Sequence, residues 1–115
     1  MQKIGFVELA QHNEVLRAYL IQVLAFPEIK EIHVFTSSWV KDQFYEPLSN
    51  LIRWHEVDNV AQLNQHSTLL SKLDITIFTT LEDKKGNTLI ADSNIPLKGG
   101  VIHKTNSYFK PYSNL

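Results

Sequence analysis

The chain has 115 residues, 43% hydrophobic and 20% charged, with eleven basic against twelve acidic residues and a net charge of −1. That is enough chain for one core and too little for two, and the near-even charge balance leaves no basic stripe of the kind a nucleic-acid surface needs. With no cysteine, disulfides, thiolate metal sites and thiol catalysis are excluded together.

In chain order, the first apolar run is Ile4 to Val7, followed at once by Glu8 and a polar turn, Gln11-His12-Asn13. No apolar stretch approaches a membrane span, and Glu8 arrives too soon for the apolar region of a signal peptide, so a cytoplasmic protein is expected. Val15, Leu16, Tyr19, Leu20, Val23 and Leu24 then recur with helical spacing. Asn13 is the expected N-cap of that helix, and Pro27 ends it. A second strand is expected at Ile32 to Phe35. Ser37 or Ser38 then caps a helix through Val40, Phe44, Tyr45 and Leu48, stopped or kinked at Pro47. A third strand, Leu51 to Val57, leads to a helix capped by Asn59, with Val60, Leu63, Leu70 and Leu73 as its stripe and Ser67 on the same side. The fourth run, Ile75 to Phe78, is almost continuously apolar, as for a parallel strand covered on both faces. Residues 81–98 read as a loop with at most a short helix, and Val101 to His103 as a fifth strand.

Strict alternation of strand and helix predicts an α/β fold: a three-layer Rossmann-like sandwich with a five-stranded parallel sheet over residues 1–104 and an irregular tail over 105–115. Right-handed crossovers leave two strand orders open, 3-2-1-4-5 and 2-1-3-4-5.

Ligands of open α/β sheets sit outside the carboxyl ends of the strands. That edge collects Glu8, Gln11, His12 and Asn13; Thr36, Ser37 and Ser38; Asp58 and Asn59; Thr79 and Thr80; and His103, Lys104, Thr105 and Asn106. Glu8 and His12 are the candidate acid/base pair, since a carboxylate beside an imidazole raises its pKa and fixes its tautomer. Asn13, Ser37, Thr80, His103 and Asn106 are the candidate binding residues for a polar ligand such as a sugar or phosphate. Capping of helices is the competing explanation for so many Ser, Thr and Asn at this edge.

Several chemistries find no support. There is no Gly-x-Gly-x-x-Gly and no Walker-type Gly-Lys-Ser/Thr, so no nucleotide cofactor is expected. No Gly-x-Ser-x-Gly elbow marks a hydrolase. The five histidines show neither His-x-x-His nor His-Glu-x-x-His spacing; Glu8, His12 and His103 as a metal trio would rest on scattered ligands, and no metal is expected. His33 and His55 are expected as partly buried strand residues, His66 as half exposed on the third helix, and Trp39, Phe44, Tyr45 and Trp54 as core or lid packing.

Three segments together resemble the amino-terminal half of two-domain (GT-B) glycosyltransferases, particularly bacterial surface-polysaccharide enzymes. These are Lys3-Ile4-Gly5-Phe6-Val7-Glu8 leading to His12-Asn13-Glu14-Val15-Leu16, then Leu73-Asp74-Ile75-Thr76-Ile77-Phe78-Thr79-Thr80-Leu81, then Gly100-Val101-Ile102-His103-Lys104-Thr105-Asn106. The resemblance implies a domain that binds a sugar or glycan acceptor, with Glu8, His12, Thr80 and His103 lining the acceptor side. It also implies a separate carboxyl-terminal donor-binding domain and no turnover by this chain alone. The alternative is a non-catalytic α/β binding or receiver-like signalling module. Asp58, Thr79 or Thr80 and Lys104 suit a receiver, but the paired acids expected after its first strand are reduced to Glu8 with Leu9 beside it, a poor Mg²⁺ site.

Overall fold

The computed structural model describes residues 2–45, 48–80 and 84–85, and the backbone of two further strands at 100–103 and 108–111. The elements are β1 (Lys3–Glu8), α1 (Asn13–Leu24), β2 (Glu31–Thr36), α2 (Ser38–Asp42), β3 (Ile52–Glu56), α3 (Val60–Asn64), α4 (Ser67–Leu70), β4 (Ile75–Phe78), β5 (Gly100–His103) and β6 (Tyr108–Pro111). The strands form one sheet in the order β3-β2-β1-β4-β5-β6.

The protein is therefore α/β with a parallel sheet, and its parallel body is β3-β2-β1-β4. The sheet is not the purely parallel five-stranded one expected. Its backbone continues through β5, parallel to β4, and closes with β6, antiparallel to β5. β6 falls in the segment for which the sequence predicts no regular structure. A hairpin-like return needs no crossover helix, so a short polar-aromatic run can join an edge without the apolar pattern of a buried strand. Of the two strand orders left open, the chain takes the one with β1 at the centre, between β2 and β4.

Strand alternation sorts the side chains onto two faces. On one, Ile4, Phe6, Ile32, Val34, Ile52, Ile75 and Ile77 pack with Leu16 and Leu20 of α1 and Val40 of α2. On the other, Val7, Phe35, Val57 and Phe78 pack with Leu63 of α3, Leu70 of α4 and Leu73. The first two crossovers run one way across the sheet and the third runs back past β1. Right-handedness therefore puts α1 and α2 on one face and α3 and α4 on the other.

Three helix expectations change. The N-cap of α1 is His12 rather than Asn13, and its side chain makes no capping bond. The helix expected to run to Leu48 is the five-residue α2; Phe44 and Leu48 reach the same core from the chain that follows it, and Pro47 lies outside the described residues. The third helix breaks in two at Gln65 and His66. There the amides of Gln65 and His66 donate three residues back, to Gln62 and Leu63, before the α ladder resumes with Leu70 bonded to His66. The tightened turn brings the His66 ring onto Phe35, 5.5 Å between centroids, and leaves Ser67 exposed rather than on the apolar side. Two expected caps are present: Ser37 accepts from the Val40 amide (3.2 Å) and Asn59 from the Gln62 amide (2.8 Å).

Candidate functional site

The carboxyl edge of the sheet is organised around Glu8. Counting by two from Ile4 and Phe6 puts its side chain on the face beneath α1, and it is fully buried. One carboxylate oxygen accepts from the hydroxyl of Thr79, which lies just past β4. The other accepts from the backbone amides of Ala10 (2.8 Å) and His12 (3.3 Å). The Glu8 carbonyl accepts from the hydroxyl of Thr36 at the end of β2 (2.7 Å). A buried carboxylate is tolerable only with its lone pairs occupied, and here donors from the β1–α1 loop and from β4 occupy them.

The loop is fixed a second time through Gln11, whose φ of 64° puts a non-glycine residue in the left-handed region. Its side-chain carbonyl accepts from Ser37 Oγ (2.6 Å), the same hydroxyl that caps α2. Loop β1–α1 is thus joined to β2, α2 and β4 by side-chain hydrogen bonds. The Lys84 amide also donates to the Leu9 carbonyl (2.9 Å).

The expected acid/base pair is not assembled as drawn from the sequence. Glu8 meets the backbone amide of His12, and the His12 imidazole lies on an exposed residue outside that contact. Asn13 is half-buried at the start of α1, Ser37 is buried as a cap, and Thr80 is half-buried after β4. His103 is placed by its backbone in β5, beside Phe78; its side chain and Asn106 lie outside the described residues. The edge therefore brings Glu8, His12, Asn13, Ser37 and Thr80 to one end of the sheet.

Gln11, Thr36 and Thr79, which the sequence collects at this edge, join the loop and the strand ends to one another. The signal for Thr36 and Thr79 is their phase: Thr36 ends β2 and Thr79 follows β4, each on the same face as Glu8. Trp39 also departs from expectation. It is 50% exposed on the first turn of α2, two residues from Ser37, whereas Trp54 packs against Phe44 as a core residue, 5.1 Å between ring centroids. The Arg17 guanidinium lies over the Phe44 ring, 4.5 Å from its centroid.

Among the described residues no group of three or more metal-ligating side chains is placed to hold an ion, and no helix is long and apolar enough to cross a membrane. No known protein family, curated protein or solved structure matches the chain.

Proposed function

We propose that this chain is the acceptor-side domain of a glycosyltransferase-like protein, binding a sugar or glycan acceptor at the carboxyl edge and making no transfer by itself. The observation that carries the reading is the doubly fixed β1–α1 loop. The Glu8 carboxylate and the Gln11 side-chain carbonyl are bonded inside the protein, which holds His12 and Asn13 in a set position at the edge. A loop ordered in advance loses less entropy when it meets a ligand. Trp39, half-exposed in the first turn of α2 and two residues after Ser37, is an aromatic side chain of the kind that suits a sugar ring. The resemblance of the strand–loop segments to the acceptor domains of two-domain glycosyltransferases supplies the class.

Glu8 holds the loop in this reading, and His12 is the titratable group left to share a proton with an acceptor hydroxyl. Donor phosphates have no glycine loop to approach, so the donor belongs to a separate domain. Calorimetry separates the parts of the proposal. Millimolar or tighter binding of a saccharide, with only weak binding of nucleotide-sugars and no turnover, supports it. Submicromolar affinity for a nucleotide-sugar overturns it.

A second reading, a non-catalytic α/β interaction domain, is favoured by the occupied carboxylate of Glu8, which takes that residue out of acid/base chemistry. It predicts no saccharide binding at all.

A further inference from the structure

On the face covered by α3 and α4, opposite the one that carries Glu8, three histidines meet. Glu31 and His33 are on β2 and His55 is on β3. Glu31 Oε1 lies 3.0 Å from His33 Nε2, and His33 Nδ1 lies 2.9 Å from His55 Nε2. His33 is only 6% exposed. The His55 ring stacks on Phe35 at 4.8 Å, and the His66 ring, at the junction of α3 and α4, leans on both Phe35 (5.5 Å) and His55 (5.4 Å).

The hydrogen bonding limits how many protons the row can hold. With both imidazoles neutral, Glu31 accepts from His33 Nε2–H, and His33 Nδ1 accepts from His55 Nε2–H. One added proton is accommodated: it enters at His55 Nδ1 while the bridging hydrogen passes to His33 Nδ1, so that His33 donates from both nitrogens and His55 Nε2 accepts. A second added proton puts an N–H on each side of the 2.9 Å contact, and that contact must break.

The charges around the row make the second proton costly. Glu31 is the acid in contact, and it is already shared with Lys3, 3.8 Å away on β1. Arg53 of β3 pairs with His33 in register and adds positive charge. α3 and α4 carry no charged residue, and the group they contribute at their junction is His66. Asp58, before α3, is exposed, and the Asp74 carboxylate is bound to the Gln2 and Lys3 amides.

We propose that the His33–His55–His66 cluster is a pH-sensitive latch that holds α3 and α4 on the sheet, closed while the His33–His55 contact contains one bridging proton and open when both rings are cationic. His66 is the mechanical link, because its ring packs on His55 while its backbone joins the two helices. Burial, and then the charges of His33 and His66, hold His55 below the usual histidine value. The sign follows. A group whose folded pKa is depressed binds its proton more readily unfolded, so its contribution is full above about pH 6.5 and is lost as pH falls toward the lowered folded value.

Amide hydrogen exchange across pH 7.5 to 5.0 tests the latch in the intact chain. The opening constant reported by the Leu63 and Leu70 amides should rise about tenfold more than that of Leu20 in α1, the effect of roughly one extra proton over one pH unit. His55→Phe, which keeps a ring against Phe35, should abolish the difference. An equal pH response of α1 and α3–α4 in the wild-type chain overturns the proposal, as does an unchanged difference in His55→Phe. Nitrogen-15 histidine spectra of the wild-type chain provide a readout that needs no variant. Two fully protonated rings at pH 5.0 with α3–α4 still protected would also defeat it.

Discussion

Thr79 donates its hydroxyl hydrogen to the buried carboxylate of Glu8, tying the end of β4 to the end of β1 across 71 residues of sequence. These are the two neighbouring strands whose connections leave in opposite directions, the switch point at which open α/β sheets form their ligand crevice. The bond therefore sets the floor of the candidate site.

Glu8→Ala should destabilise the protein by roughly 1–3 kcal/mol, because the Ala10 and His12 amides and the Thr79 hydroxyl lose their shared acceptor. Glu8→Gln should cost less, since its amide oxygen can still accept from the two backbone amides. Urea unfolding of the single variants and of each combined with Thr79→Val should reveal a coupling of about 0.5–3 kcal/mol between positions 8 and 79. Additive losses would mean that the two side chains do not act as a pair.

Gly5 is enclosed on the α3–α4 face. A methyl at this position would meet Leu73 Cδ1 at 2.6 Å and Thr76 Oγ1 at 3.4 Å. Gly5→Ala should cost about 1–3 kcal/mol by overpacking. Adding Leu73→Ala should cost less in that background than in the wild type, because the truncated side chain leaves room for the methyl. Equal costs in the two backgrounds would contradict the contact.

Leu20 is fully buried at the centre of the α1 stripe, against β1, β2 and β4. Leu20→Ala should lower stability by roughly 2–5 kcal/mol in chemical denaturation. A loss below about 0.5 kcal/mol would show that α1 does not cover the sheet as described.

The Asp74 carboxylate accepts from the amides of Lys3 and Gln2, 2.8 and 2.7 Å away, and these bonds hold it below the usual aspartate value. A depressed acid contributes stability above its unfolded value, about 3.9, and loses it as pH falls through the lower folded value. Acid unfolding should therefore be less steep below about pH 4 in Asp74→Asn than in the wild-type chain. Superimposable acid transitions would contradict that linkage.

Much of this architecture is legible in the sequence because it follows local periodicity. The phase of Ile4, Phe6 and Glu8 along β1, the stripe through Leu16 and Leu20, and the caps at Ser37 and Asn59 are all short-range patterns. What escapes is set by partners distant in sequence. Glu8 reads as an available acid until Thr79 and the loop amides occupy it, and nothing near Gln11 announces a left-handed backbone, which glycine would ordinarily supply. The split between α3 and α4 has no glycine or proline to mark it. It accompanies the packing of His66 on Phe35 and His55, which are brought beneath it by strand register. The antiparallel β6 escapes for a related reason, since an edge strand is defined by its neighbour more than by its own apolar pattern.

Amide chemical-shift mapping with a panel of mono- and disaccharides tests whether the carboxyl edge takes a sugar-like ligand. Saturable shifts are expected to concentrate at His12, Asn13, Ser37, Trp39 and Thr80, with the buried Glu8 following through its bonds to the loop. Shifts confined to the opposite edge, around residues 27–30 and Asn50, or no shift with any saccharide at millimolar concentration, would contradict it.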